Sequence, residues 1–316
     1  MDINEFEIIS KYFTKINTDK SILVGIGDDA AIVNSNGSLA ITTDTLIESI
    51  HFPKNTPAEI FGSRSLAVNL SDLASMGALP KWCTMSLSMP NISEEWIKGF
   101  SKGFFKLANQ YNLSLIGGDI TRGNLSATLQ LIGTLNRKPF LRSGGIVSDD
   151  IYITGSVGDA AAGLSLINKK NILSDEISQF LINRFYYPSP RIDECQKISP
   201  FINSAIDISD GLLSDLGHLC EASKCGAIIK IESLPLSKQI ITTFPFNEAI
   251  DFALSGGDDY EICFSASKSN RKLLDILSKK SGIAITRIGQ LVTGDQISIF
   301  HEDLPYNYKN HGYRHF

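Results

Sequence analysis

Six short segments set carboxylates beside glycine, threonine or serine: Gly27-Asp28-Asp29, Thr42-Thr43-Asp44, Asn69-Leu70-Ser71-Asp72, Gly117-Gly118-Asp119, Asp207-Ile208-Ser209-Asp210-Gly211 and Gly256-Gly257-Asp258-Asp259-Tyr260-Glu261. Aspartate carries its charge on the shortest acidic side chain, so it holds a hard cation close to the main chain. Neighbouring glycines let backbone and phosphate approach. A pair of such charges ~4 Å apart repels by roughly 4 kcal/mol at an effective dielectric near 20. If these carboxylates converge, they need cations to neutralise them, and magnesium is the natural one because it shares carboxylates with substrate phosphates. No EF-hand spacing points to calcium. A single Asp-Gly pair is ordinary turn chemistry; six at the ends of strands and helices ask for a common cause. Asp149, Asp150 and Asp159 are read as turn residues only.

Other chemistries lack their residues. There is no GxxxxGK[ST] loop, no protein-kinase signature set, no GxSxG elbow and no HExxH. Phosphate handling would rest on metals, glycine backbone and a few bases such as Arg142. Of the five histidines, His51 follows the Thr42-Thr43-Asp44 stretch closely enough to be a site candidate, whereas His218 reads as structural. The five cysteines form no CxxC pair or zinc spacing and read as reduced thiols. A net charge of -5 gives no basic footprint for nucleic acid or an anionic membrane. No apolar run approaches the ~20 residues of a membrane span, and the acidic N-terminal stretch is unlike a signal peptide, so the expected location is cytoplasmic.

The elements that must position these residues follow from periodicity. Residues 21–26 and 30–33 read as strands. Asn34-Ser35-Asn36-Gly37 is a turn, and 38–47 reads as the returning strand of the same hairpin. Thr56-Pro57 opens a helix that Gly77 closes. A strand over 82–89, a helix capped by Ser93, and strands over 113–116 and 126–135 complete a first half. A boundary near Gly144-Gly145 divides the chain into domains 1–145 and 146–316. In the second half, strands are expected at 151–154, 205–208, 228–231, 261–264 and 283–288, with helices after Gly158, from Asp210 to Ala222 and over 270–281. The fold class is α+β, in two domains.

In order, GIGDDAAIV…ITTDTLIESIHF, AVNLSDLASMGALP, LIGGDITRG, SAIDISDGLLSDLGHL and SGGDDYEICF resemble the thiamine-monophosphate kinase family of the aminoimidazole ribonucleotide synthetase-like superfamily. The resemblance runs from Gly25 to Tyr313. It implies an N-terminal mixed domain that binds ATP and magnesium and dimerises through a sheet-derived barrel, and a C-terminal α/β domain of the synthetase type completing the cleft. It implies Mg-dependent transfer of a phosphoryl group from ATP to thiamine monophosphate, by a homodimer. Carried over by position, Asp29, Thr42, Thr43, Asp44, Asp72, Asp119, Asp207 and Asp210 would hold several Mg2+, with Asp28 adjacent to them. Gly118, Asp119, Arg142 and Ser209 would meet ATP, and His51, Asp258 and Tyr313 the thiamine phosphate. The family usually has GGED where this chain has Gly256-Gly257-Asp258-Asp259. The shorter carboxylate moves that contact toward a water-bridged one.

The alternatives are another ATP-using enzyme of the superfamily, of the purine-ligase or selenophosphate-synthetase type, and a non-catalytic Mg-ATP sensor. No cysteine precedes Cys83, and the chain ends Tyr313-Arg314-His315-Phe316, so neither reactive cysteine position of the superfamily is present. An acceptor that is already a phosphate needs no general base, which suits a chain rich in aspartate and poor in histidine.

Overall fold

The computed structural model describes residues 5–14, 19–27, 30–169, 176–282 and 284–308. The chain divides into one unit of residues 1–73 and 78–138 and a second of residues 74–77 and 139–316.

In the first unit, α1 (Glu5–Ile8) continues into a π-helical turn, Ile9–Phe13. Strands β1 (Ile22–Val24) and β2 (Ile32–Val33) form a two-stranded sheet of their own. Then follow β3 (Leu39–Ile47), α2 (Ala58–Ser75), β4 (Leu79–Met89), α3 (Glu94–Gln110), β5 (Ser114–Arg122) and β6 (Ser126–Thr134). The order of the main sheet is β3-β6-β4-β5, with β4 and β5 parallel. The hairpin expected across Asn34–Gly37 is therefore corrected. β2 turns back on β1, and all nine residues of β3 pair with β6. Two residues of β2 offer a short ladder, whereas β6 alternates buried and half-exposed positions along its length and gives β3 a full-length partner. A second correction concerns Gly117-Gly118-Asp119. It lies inside β5, not in a turn after it, because β4 runs alongside and pairs Met85 with Gly118 and Ser86 with Asp119.

Helices α2 and α3 cross closely enough to require glycine. A Cβ on Gly103 would lie 1.9 Å from the Glu59 carbonyl oxygen, and one on Gly62 2.1 Å from that of Phe100. Around this crossing Phe61 and Trp96 pack on Phe100, with centroids 5.4 and 5.5 Å away. Ser93 caps α3 by accepting the Trp96 N–H at 3.3 Å, as its sequence position predicts. At the end of α2, Gly77 takes φ +71°, and Ala78 N–H bonds back to the Leu73 carbonyl, a left-handed closure that suits glycine.

The second unit comprises β7 (Asp150–Thr154), α4 (Asp159–Asn168), α5 (Glu176–Tyr186), α6 (Ile192–Ile198), β8 (Ser204–Asp207), α7 (Leu212–Ser223), β9 (Gly226–Lys230), α8 (Lys238–Thr243) and α9 (Phe246–Ser255), followed by β10 (Ile262–Ala266), α10 (Arg271–Ser281), β11 (Ile285–Val292), β12 (Ile297–His301) and β13 (Leu304–Pro305). Its sheet runs β13-β12-β9-β11-β7-β10-β8. Strands β7, β8 and β10 are buried at every position, which is why they read as continuous apolar runs. Ile153, Ile206, Leu216 and Cys263 belong to one core cluster, which also holds Leu254 of α9.

All five cysteines are buried and unpaired, and burial pushes the Cys220 thiol up to about 12. Asp149, Asp150 and Asp159 are buried as well. Asp150 lies in β7 and meets Arg271 and Arg287, Asp159 opens α4 and accepts from Ser156 and Ser237, and Asp149 accepts from Asn203 at 2.8 Å. The reading of these three as turn residues only is therefore corrected: they hold the unit together. Among the described residues no helix is long and apolar enough to cross a membrane. The α2–α3 crossing yields a stability prediction: Gly103→Ala destabilises the first unit by about 2 kcal/mol, overpacking outweighing the better helix propensity. Urea unfolding followed by Trp fluorescence measures it, and a variant as stable as wild type would contradict the crossing geometry.

Candidate functional site

In the first unit, β3 and α2 bring three of the sequence candidates together. Thr42 Oγ1 donates to Asp72 Oδ2 at 2.5 Å. The Asp44 N–H donates to Asn69 Oδ1 at 3.0 Å, and the buried Asn69 amide in turn donates to the Ser65 carbonyl at 3.0 Å. The Ser65-Asn69-Asp72 spacing of four and three residues puts these groups along one face of α2, so that the helix reads onto the strand at Thr42 and Asp44. Thr43 alternates to the other face and accepts from Gln130 at 3.5 Å. His51 sits just past β3, and its Nδ1 accepts the Ile47 N–H at 3.0 Å, which places the proton of a neutral ring on Nε2.

Asp119 lies elsewhere. Asp44, Leu129, Met85 and Gly118 form one row across β3, β6, β4 and β5, and Thr45, Thr128, Ser86 and Asp119 form the next. Three strand spacings separate the two edges, roughly 14 Å. Adjacent rows also face opposite sides of the sheet. Leu129 and Met85, in the Asp44 row, are buried, whereas Asp119 is exposed between the buried Ile116 and Ile120. Within one chain the sheet therefore holds Asp44 and Asp119 on opposite edges. Among the described residues no three acidic, histidine or cysteine groups stand close enough to share an ion. Asp28 and Asp29 lie outside the described residues.

Gly118 and Asp119 line a cavity of about 650 Å³ with Ile9, Phe13, Ile26 and Met85. Gly118 takes φ +152°, and a Cβ there would lie 1.9 Å from the Met85 carbonyl oxygen, so only glycine keeps β5 against β4 at this wall.

In the second unit, Asp207 ends β8 and Ser209-Asp210-Gly211 leads into α7. Three strong backbone hydrogen bonds join this turn to the Gly257–Glu261 segment. Asp258 N–H donates to the Ser209 carbonyl, Tyr260 N–H to that of Ile208, and Ile208 N–H to that of Glu261, each at 2.8 Å. Asp258 and Tyr260 both take positive φ, +71° and +51°, a cost that the surrounding bonds must hold in place. The Tyr260 hydroxyl donates to Asp258 Oδ1 at 3.3 Å.

Two neighbours of Asp258 point inward, and sequence reading assigned them no separate role. Asp259 accepts the N–H groups of Gly158 and Ala160 at the start of α4. Burial pushes its carboxyl up to about 8, against the pull of Arg184 and those two amides. Glu261, fully buried, accepts from Thr154 at 2.7 Å, from Arg184 at 2.8 Å, and from Arg191 through Nε at 2.6 Å. The available signal was position: Asp259, Tyr260 and Glu261 lead directly into the fully buried strand β10 and are buried with it. Arg142 is exposed, and its carbonyl accepts from Ser223 at 2.6 Å. Tyr313 lies outside the described residues.

The matches to known proteins follow these positions. Residues 27–135 match the AIR synthase related protein N-terminal domain, and residues 147–302 the corresponding C-terminal domain. The thiamine-monophosphate kinase of Buchnera aphidicola subsp. Schizaphis graminum is 45% identical, with 100% of each chain covered. The chain belongs to the thiamine-monophosphate kinase family. The crystal structure of the Stenotrophomonas maltophilia member superposes with a TM-score of 0.86 at 40% identity, covering 89% of this chain and 92% of that one. AaThiL complexed with AMPPCP and TMP superposes at 0.78 and 30% identity, covering 88% and 87%. The two-domain mixed fold expected from sequence is that of the family.

The buried carboxylate gives a prediction for this unit. Glu261→Gln takes from Arg184 and Arg191 their shared buried carboxylate, leaving only the longer contacts to Asp159 at 3.8 Å and Glu194 at 3.4 Å, and destabilises the protein by about 3 kcal/mol. Thermal unfolding checks it; an unchanged melting temperature would remove Glu261 from the support of the Asp258 segment.

Proposed function

We propose that this protein transfers the γ-phosphoryl group of ATP to thiamine monophosphate, giving thiamine diphosphate and ADP. The full-length match to thiamine-monophosphate kinases carries this reading, and it is supported by the relative that binds AMPPCP and TMP together. The nucleophile is a phosphate oxygen already ionised near neutral pH, so the protein has to position two phosphates and offset their charge.

The donor chemistry fits magnesium. Thr42, Thr43, Asp44, Asp72, Asp119, Asp207 and Asp210 offer only hard oxygens, and Thr42 and Asp72 already converge. Bound Mg2+ would neutralise the phosphate oxygens as charge shifts from donor to acceptor. Domain 1–145 then supplies most of the metal set, and the cavity beside Gly118 and Asp119 suits the nucleotide base because its lining is largely apolar. Arg142 and Ser209 are assigned to ATP, and His51 and Asp258 to thiamine monophosphate, with domain 146–316 completing the site. Asp28, Asp29 and Tyr313 keep the roles the family implies. The setting is cytoplasmic.

The working form in this reading is a homodimer, and the separation of Asp44 from Asp119 in the sheet register supports it. Asp44 and Asp119 occupy opposite edges, and closing two four-stranded sheets into one barrel would bring the β3 edge of one protomer to the β5 edge of the other. The partner subunit's Asp119 would then stand about one strand spacing from Asp44, and on an edge strand where Gly118 takes φ +152° its side chain could turn across the seam to the Thr42–Asp44 and Asp72 face. Isologous pairing of this kind makes two equal sites.

Purified protein with Mg-ATP should form thiamine diphosphate from thiamine monophosphate and none from free thiamine. Product from free thiamine would reassign the acceptor, and ATP binding without turnover would favour a sensor. Asp44→Asn and Asp119→Asn should each lower kcat by about 100-fold or more while the proteins stay folded. Mixed and reannealed, they should regain about a quarter of wild-type activity, since half the dimers are mixed and one of their two sites is intact. No recovery in proven mixed dimers would place both aspartates of a site on one chain.

A further inference from the structure

The turn from β8 to α7 is held from beneath by a side chain that no role above uses. Asp215, one turn into α7, is 3% exposed. Its Oδ2 accepts the N–H groups of Ser209, Asp210 and Gly211 at 2.9, 3.1 and 3.2 Å. An ordinary N-cap accepts from the helix that follows it; Asp215 reaches back out of its helix to three consecutive amides of the preceding turn. Gly211, at the N-cap position, has no side chain to do this. The turn is also fixed from above. The Ser209 carbonyl accepts from Asp258 N–H, a Cβ on Gly257 would lie 2.4 Å from that carbonyl oxygen, and one on Gly211 2.8 Å from the Ser255 carbonyl. With amides pulled one way and carbonyl the other, the peptide planes of residues 208–211 have one orientation.

Burying a carboxylate costs free energy unless donors offset it, and here three donors from the turn do so.

We propose that Asp215 is a positioning residue for the proposed reaction: by gathering the three amides it aims the Ser209 hydroxyl and the Asp210 carboxylate toward nucleotide and metal. This rests on the role given above to Ser209 and Asp210. Outer-shell groups of this kind change metal affinity by about 10- to 100-fold when removed.

Three full-length proteins test it: wild type, Asp215→Ala and Asp215→Asn. Amide hydrogen exchange at residues 209–211 is read on the unliganded proteins. The Mg2+ concentration for half-maximal rate, the KM for ATP and the melting temperature are read alongside. Asp215→Ala should lose protection at these amides and need about 10-fold more Mg2+. Asp215→Asn, whose amide oxygen still accepts N–H donors, should recover most of both. If Asp215→Ala does not fold, Asp215→Glu replaces it, because its extra methylene displaces the accepting oxygen, and the same loss is expected. A lower melting temperature with unchanged Mg2+ requirement and KM would make Asp215 merely structural and overturn the proposal. So would an Asp215→Asn protein as impaired as the alanine variant. A wild type without kinase activity would overturn the function instead, with the exchange data still judging whether Asp215 holds the turn.

Discussion

A carboxylate taken out of water must find its counter-groups inside the protein, and the second unit is arranged around that requirement. Asp259, Glu261 and Asp215 are each nearly or fully inaccessible, and each collects several donors: two amides of α4, two guanidiniums with a threonine, and three amides of the β8–α7 turn. Any of them left unpaired would cost several kcal/mol. The bonds they make fix the two segments that carry the outward-facing Ser209, Asp210 and Asp258. Buried acids thus set the geometry, and the half-buried acids Asp210 and Asp258, a residue or a turn away, are the ones proposed to meet ligands.

The first unit solves a different electrostatic problem. Its outward acids would repel one another if one chain brought them together without cations. The register of β3, β6, β4 and β5 keeps Asp44 and Asp119 on opposite edges and faces, so each protomer can fold before any metal arrives. Thr42 and Asp72 meet directly, and there the hydroxyl donates a hydrogen bond to the carboxylate. In the proposed dimer, assembly and metal loading would be coupled, because closing the barrel would create the high charge density that cations relieve.

Much of this was legible in the sequence. The Ser93 cap, the Gly77 closure, the long strand 38–47 and the buried strands of the second unit follow from side-chain spacing, which is local. What was not legible depends on partners far along the chain. Asn34–Gly37 carries hairpin chemistry, but β3 finds a longer ladder with β6, which begins nearly eighty residues on, at Ile47 with Ser126. Gly117-Gly118-Asp119 reads as a turn until β4 is laid beside it. Asp215 reads as one more polar helix residue, since only the folded turn shows three amides converging on it. Asp150 likewise looks like turn chemistry until Arg271 and Arg287 arrive from elements more than a hundred residues later.

The shortened carboxylate at Asp258 belongs to the same logic. Its main chain is pinned to Ser209, its φ is held positive, and Tyr260, itself at positive φ, donates to its Oδ1. A glutamate at this position could swing its extra methylene across several rotamers, whereas aspartate held by a tyrosine hydroxyl has little freedom left. Reach is exchanged for orientation. A water between Asp258 and the cationic end of the substrate would restore the missing length while leaving the carboxylate's direction fixed by the protein. If Asp258 meets the substrate as proposed, specificity at this end of the site would depend less on which acid is present than on how firmly Asp259 and Glu261 anchor the segment beneath it.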